Sequence, residues 1–371
     1  MVRWQCLSAA ARNEGAVDLV SPIEGAIYAA RQAARIAWYG GAYAMARRMQ
    51  GPLRDAAGQP IRASTPTPNQ QALLADIGAL FRRDIANAAR GVYRVPNDWF
   101  APLAREIALM RRFMADVPKV AQRRRDGIAD EPLHHHRGAR PRYYLQNFHF
   151  QSGGWMTEDS AELYDTQVDV LFSGATAAMR RQALPPIAEH LRGRDQRHAR
   201  LLDIAAGTAH WVRDLRVAFP ALPVTLLDMS EAYLARARRD LGADGRRRET
   251  VAAAEAMPFA AGSHDVITAI YLFHELPPKV RREVAREVAR VLRPGGLFVV
   301  VDSIQTGEHP PYDGLLELFP IGFHEPYFSS YLDEDFDTLF GAEGLLPVSR
   351  TRAFLSTIMC FRRCTEPSAR S

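Results

Sequence analysis

The 371-residue chain is poor in cysteine and lysine, and no apolar run in it approaches the roughly 20 residues of a membrane span. Its three cysteines, Cys6, Cys360 and Cys364, are too few for a disulfide framework, and the C-x3-C spacing of the last two is neither a redox pair nor a zinc pair. Reduced thiols in a cytoplasmic protein are the expectation. Lysine occurs only at Lys119 and Lys279, so the basic residues are almost all arginine. With alanine so abundant, we read this as coding bias and not as selection for phosphate binding. Met1 to Gly15 has no apolar stretch of the kind a secretory leader needs, because Arg3, Arg12 and Glu14 interrupt it. A G-x-G-x-x-G dinucleotide fingerprint is absent, and nothing before residue 125 alternates like a strand. What remains, 47% hydrophobic and 24% charged residues, is an ordinary globular balance with room for two domains.

The charge is unevenly placed. Residues 1–150 hold 22 basic against 12 acidic side chains, and residues 151–371 hold 25 against 30. The basic part reads as helices. One runs over 21–49, with Gly40-Gly41 expected to bend or break it. A second spans Asn69 to Ala89, with Leu73, Leu74, Ile77, Leu80, Phe81 and Ile85 on one face. A third spans about Pro102 to Asp116. Residues 121–142 are Arg-rich and polar, and three adjacent histidines, His134 to His136, cannot share one face. An exposed linker is expected there, and no metal site. The aromatic run Tyr143 to Trp155, with Gly153-Gly154 beside the tryptophan, is either interdomain packing or a lid over a ligand. Asp159 with Glu162 suggests the cap of the next helix, and Pro185-Pro186 should bend or stop another.

From Arg200 short apolar runs alternate with helical segments: LLDI (201–204), VTLLD (224–228), VITAIYLF (266–273) and LFVVVD (297–302). That alternation implies a parallel sheet with helices on both faces. LLPVSR (345–350) and AFLSTIMCF (353–361) leave no room for a helix and imply an antiparallel hairpin at its edge. We therefore divide the chain into a helical domain (1–141), an aromatic lead-in with lid helices (142–198), an α/β domain (199–364) and a disordered tail (365–371). Ligands of an open α/β sheet bind beyond the carboxyl ends of its strands. There, Asp203 opens a small-residue turn (Ala205, Ala206, Gly207) and suits an ammonium or sulfonium group. Asp228 can accept from a ribose diol, Met229 offers an adaptable surface to a purine, and the turn over Ala253–Phe259 can close on its other face.

These motifs resemble the class I S-adenosylmethionine-dependent methyltransferases, near the type-11 and ubiquinone/menaquinone-biosynthesis groups. LLDIAAGTAHW (201–211) resembles their first motif and LLDMSEAYLARAR (226–238) their second. AEAMPF (254–259) and GSHDVI (262–267) resemble the third and fourth, and REVARVLRPGGLFVVVDS (286–303) the fifth. Residues 142–198 resemble the lead-in of some bacterial type-11 proteins, and residues 1–120 resemble nothing as specifically. The resemblance implies a Rossmann-like seven-stranded sheet with its last strand antiparallel, and S-adenosyl-L-methionine as cofactor. It assigns Asp203, Ala205 and Gly207 to the methionine moiety, Asp228 to the ribose, Met229 to adenine, and Glu255, Ala256 and Met257 to the adenine side. Tyr164 falls where related enzymes contact the cofactor. Two departures stand out. Ala205 and Ala209 occupy positions usually glycine, tolerable if the backbone keeps negative φ, and Ala253 stands where an aspartate is frequent.

Methyl transfer from a sulfonium is an in-line displacement, in which the protein chiefly supplies alignment and a dry site. Tyr271, His274 and Glu275 follow the fourth strand. His274 is a candidate base, Tyr271 a neighbour of the methyl group, and His324, in an aromatic insert, a third catalytic candidate. Arg180 or Arg181 could pair the methionine carboxylate, although solvated arginines are the default. The expected reaction is methylation of a small aromatic or lipidic acceptor. The alternatives are an RNA or protein methyltransferase using the basic helices, or a catalytically silent cofactor-fold protein. Scattered charge without an RNA-binding module speaks against nucleic acid. The basic helices are also where a peripheral membrane contact would be sought. Oligomeric state is not readable.

Overall fold

The computed structural model describes residues 20–55, 57–98, 102–136 and 140–365. Cys6, the stretch weighed as a leader, and residues 366–371 of the expected tail lie outside them.

Helix α1 (Pro22–Arg35) starts at a capping box between Ser21 and Glu24. It does not break at Gly40-Gly41. Both glycines keep right-handed helical dihedrals, and one widened turn, Ile36–Gly40, passes straight into α2 (Gly41–Gln50). Helix α3 (Gln70–Ala89) is capped by Asn69. Helix α4 (Leu103–Asp126) runs past its expected end and through Pro118, because buried Val117 and Ala121 prolong its apolar stripe. The histidine run lies on a short helix, α5 (Glu131–His136), and not in a loop. Helix α6 (Glu158–Leu171) is capped by Thr157, which accepts from the Ser160 N–H; Asp159 lies inside the first turn. After α7 (Thr176–Arg181), Pro185 and Pro186 fall in the first turn of α8 (Leu184–Leu191). They start a helix and do not end one.

The sheet is seven-stranded. Its strands are β1 (Leu201–Ile204), β2 (Val224–Asp228), β3 (Arg247–Val251), β4 (His264–Ile270), β5 (Leu292–Ser303), β6 (Leu345–Ala353) and β7 (Ser356–Arg363). Their order is β3-β2-β1-β4-β5-β7-β6. The first five are parallel, and β7 runs antiparallel between β5 and β6, as the hairpin reading implied. Strand β3 reads RRETV and has no apolar run, so only its pairing with β2 reveals it. Helices α9 (Val212–Ala218), α10 (Glu231–Leu241) and α11 (Pro278–Val291) connect the strands. Helices α12 (Asp313–Phe323), α13 (Phe328–Leu332) and α14 (Phe336–Gly341) form the insert before the hairpin.

The basic helices are packed onto this body. Ile77 and Leu80 of α3 belong to the same buried apolar cluster as Leu184 and the central strands. Beneath them Arg181, 1% exposed, reaches Asp84 at 2.6 Å, Asp98 at 2.7 Å and Asp214 at 3.2 Å. It is not a solvated arginine. Tyr28 and Tyr93 also donate to Asp84, and Arg35 pairs with Asp169 at 3.0 Å.

Candidate functional site

The ends of β1, β2 and β4 open into a cleft of about 730 Å³. Ala205 and Gly207 line its floor, and both lie in the left-handed region, at φ 53° and 56°. Ala209, at φ 51°, is left-handed too. The condition under which alanine is harmless here, negative φ, is therefore not met, and each alanine carries some strain. Asp228 lines the cleft and is aimed by main-chain donors: Gly207 N–H reaches Oδ2 and Ser230 N–H reaches Oδ1, each at 2.7 Å. Burial pushes its carboxyl up and these bonds pull it back. Met229 and Glu255 line the same cleft.

Three expected contacts are arranged otherwise. Asp203 is 1% exposed and does not line the cleft. Its oxygens are committed to Trp211 Nε1 at 2.9 Å and Thr268 Oγ1 at 2.7 Å, and burial pushes its carboxyl up to about 7. It holds the turn from behind. Ala256 is exposed and Met257 is turned inward, with its N–H committed to Glu287, because the turn closed by Ala256 N–H on Ala253 rotates the chain. Ala252 and Ala254 line the cleft in their place.

The aromatic run forms the opposite wall. Tyr143, Tyr144, Phe148 and Trp155 line the cleft, and Tyr143 Oη donates to Glu255 Oε1 at 2.5 Å. Trp155 meets Tyr164 at 5.3 Å and Tyr233 at 5.8 Å, ring to ring. Gly154 is required here: its φ is 52°, and a Cβ would sit 2.6 Å from the Gln146 carbonyl. Tyr233 was not foreseen, since one aromatic on an amphipathic helix carries no local signal. Three buried polar atoms near the cleft lack a hydrogen-bond partner, Tyr144 Oη, Glu255 Oε2 and Arg180 Nε. Arg180 lies over the Tyr271 ring at 5.7 Å.

Tyr164, Tyr271 and Glu275 line this cleft and also a second cavity, of about 1130 Å³. Its walls are apolar: Val168 and Leu171 of α6, Leu315, Leu318, Phe319 and Phe323 of α12, and Phe328. Tyr43 and Arg47 of α2 close it, so the basic helices contribute directly. His274 lines it too. Burial would lower its pKa, but Asp302, 2.5 Å from Nδ1, pushes it up to about 9. At neutral pH the ring is therefore a hydrogen-bond donor, a state that disfavours the proton-acceptor role expected from the sequence. Tyr271 has φ 58° and shares a hydrogen bond of 2.8 Å with Ser356. His324 lines neither the cleft nor the cavity. It caps α12 at φ 48°, faces Gln146 at 3.1 Å, and burial lowers its pKa.

Residues 201–296 match the family model described as a methyltransferase domain. A malonyl-[acyl-carrier protein] O-methyltransferase of Methylococcus capsulatus is 37% identical over 122 residues, 32% of this chain and 43% of that protein. A demethylmenaquinone methyltransferase of Thermus thermophilus is 32% identical over 148 residues, 40% of this chain and 64% of that protein. The chain thus spans less than two thirds of the length of these relatives. Among solved structures, a putative sarcosine dimethylglycine methyltransferase from Galdieria sulphuraria aligns with 52% of this chain and 88% of its own, at 16% identity and a TM-score of 0.41.

Proposed function

Because the chain belongs to the class I S-adenosylmethionine-dependent methyltransferases through its sheet domain, we propose that it methylates a small, aromatic or lipidic acceptor held in the second cavity. The observation that carries this is the pair of spaces meeting at Tyr164, Tyr271 and Glu275, one built on strand ends around Asp228, the other walled by apolar side chains of α6 and α12. When bound, S-adenosylmethionine supplies an electrophilic methyl group. Asp228 would hold the ribose, with Met229, Glu255 and the Tyr143–Trp155 wall around the adenosine. Ala205, Gly207 and Tyr164 would line the methionine end. Arg180, with its unpartnered Nε, would pair the carboxylate. Tyr271 and His274 would orient the acceptor, His274 as a donor to an acceptor oxygen. The aromatic walls exclude water, which favours alignment over competing hydrolysis.

The basic helices then have a use. They close the acceptor chamber, and we assign the division at residues 141 and 198 to acceptor side, lid and cofactor side. Ile23, Ile27, Met45 and Met49 remain exposed on α1 and α2, and Arg48 is exposed beside them. This supports a peripheral contact with an anionic lipid surface as the route for an apolar acceptor. Among the described residues no helix is long and apolar enough to cross a membrane.

Calorimetry with S-adenosylmethionine, followed by transfer of labelled methyl to a panel of phenols, quinols and lipid extracts, tests the proposal. Saturable binding with label in an organic-soluble product is expected. The absence of saturable heat at millimolar cofactor would favour a silent binding protein, and label in RNA with salt-sensitive retention would favour the nucleic-acid alternative.

A further inference from the structure

Three chemistry-bearing side chains from separate segments meet at the wall of the second cavity. His149 comes from the aromatic lead-in, where the backbone is left-handed at φ 56°. Glu275 ends the short turn after β4, and Glu325 follows α12. One donor atom of each lies within 4.8 Å of the other two. Glu325 is 1% exposed, yet neither of its carboxylate oxygens has a hydrogen-bond partner. His149 Nε2 is 3.1 Å from Oε1 but is not aligned for a hydrogen bond. The other nearby cation, His274, is already committed to Asp302 and lies 3.8 Å from Glu275. A carboxylate withdrawn from water is paired or holds a metal in almost every folded protein, and Glu325 has neither full pairing nor solvent.

We infer that His149, Glu275 and Glu325 form a divalent-cation site on the wall of the second cavity. One imidazole nitrogen and two carboxylate oxygens suit zinc, whereas magnesium and calcium favour all-oxygen donor sets. Zinc bonds of about 2.0–2.2 Å put neighbouring donors roughly 3.3 Å apart in a tetrahedral site. The histidine–Glu325 contact already has that spacing, and the Glu275 carboxylate must swing inward to complete it. His149 and Glu275 both line the cavity. A remaining coordination position is thus available to an acceptor oxygen, a consequence that rests on the cavity being the acceptor chamber.

The cation site itself is tested without any reaction. The full chain is prepared with His134, His135 and His136 replaced by alanine, which removes the histidine run as a competing set of zinc ligands. Equilibrium dialysis against zinc should find one saturable equivalent. Glu325→Gln and His149→Ala should each weaken it by about tenfold or more. Zinc should raise the melting temperature of the parent and not of either variant. No saturable equivalent at millimolar zinc, or undiminished binding in both variants, overturns the inference and leaves the His149–Glu325 contact without a metal. If Glu325→Gln does not fold, His149→Ala, on the cavity wall, still decides. S-adenosylmethionine binding measured on the same samples separates loss of the cation site from failure of the proposed function.

Discussion

The strand-end cleft and the second cavity share three side chains and are built in opposite ways. The cleft is made mostly by one continuous stretch, from the end of β1 to the turn after β4. Much of its shape is set by main chain: small residues at positive φ and N–H groups that aim Asp228. The cavity takes α2, the lead-in, α6 and the insert, which lie far apart in sequence, and works through side-chain shape. Recognition by main chain leaves a motif. Recognition by assembled side chains leaves none.

The strongest way to break the second half is Arg181→Ala. It would strand Asp84 of α3 and Asp98 where the basic helices pack onto the sheet domain. A loss of about 3–5 kcal/mol is expected from breaking a buried charge network on one side, read by chemical denaturation. A loss within error would show that the helices are held by their apolar contacts alone.

Next comes Asp203, behind the cleft. Its folded pKa, about 7, lies above the ordinary value of 3.8. Between these values the folded state holds a proton that the unfolded state has released, so stability falls as pH rises from about 4 to about 7 and then levels. Each unit of such a shift is worth about 1.4 kcal/mol. Asp203→Asn keeps the shape and should remove this slope. Parallel melting curves of the two proteins across that window would show that Asp203 is ionised throughout.

Asp228→Ala should weaken S-adenosylmethionine binding by about tenfold, the value of one charge-assisted hydrogen bond, by calorimetry. Unchanged affinity would remove Asp228 from the ribose site. The smallest effect is expected at Ala205→Gly. Left-handed backbone costs alanine about 1–2 kcal/mol, and the looser unfolded chain of glycine returns about 0.4–1 kcal/mol of that. Thermal melting should show a slight gain, and a loss would mean that the Ala205 methyl makes packing worth more than its strain.

Much of the cleft was legible because its residues are consecutive. The acid closing β2 and the small-residue turn after β1 could be placed from spacing alone. Asp203 was misjudged because a strand end has two sides, and only Trp211 and Thr268 reveal that its side chain turns inward. The polar strand β3 was hidden for a related reason: its neighbour, not its own pattern, makes it a strand. His274 was expected near the methyl group as a base, but its protonation follows from Asp302 on β5, which the sequence around His274 does not reveal.

The sequence by itself determined the parallel sheet with its antiparallel edge, the acid at the end of β2 and the class of fold, since each leaves a local pattern of strand, turn and helix residues. Tertiary structure alone decided where the basic helices pack, which side Asp203 faces, and that His149, Glu275 and Glu325 converge. Those outcomes depend on contacts between distant segments, and the periodicity of a chain records only which face is buried, never what it is buried against.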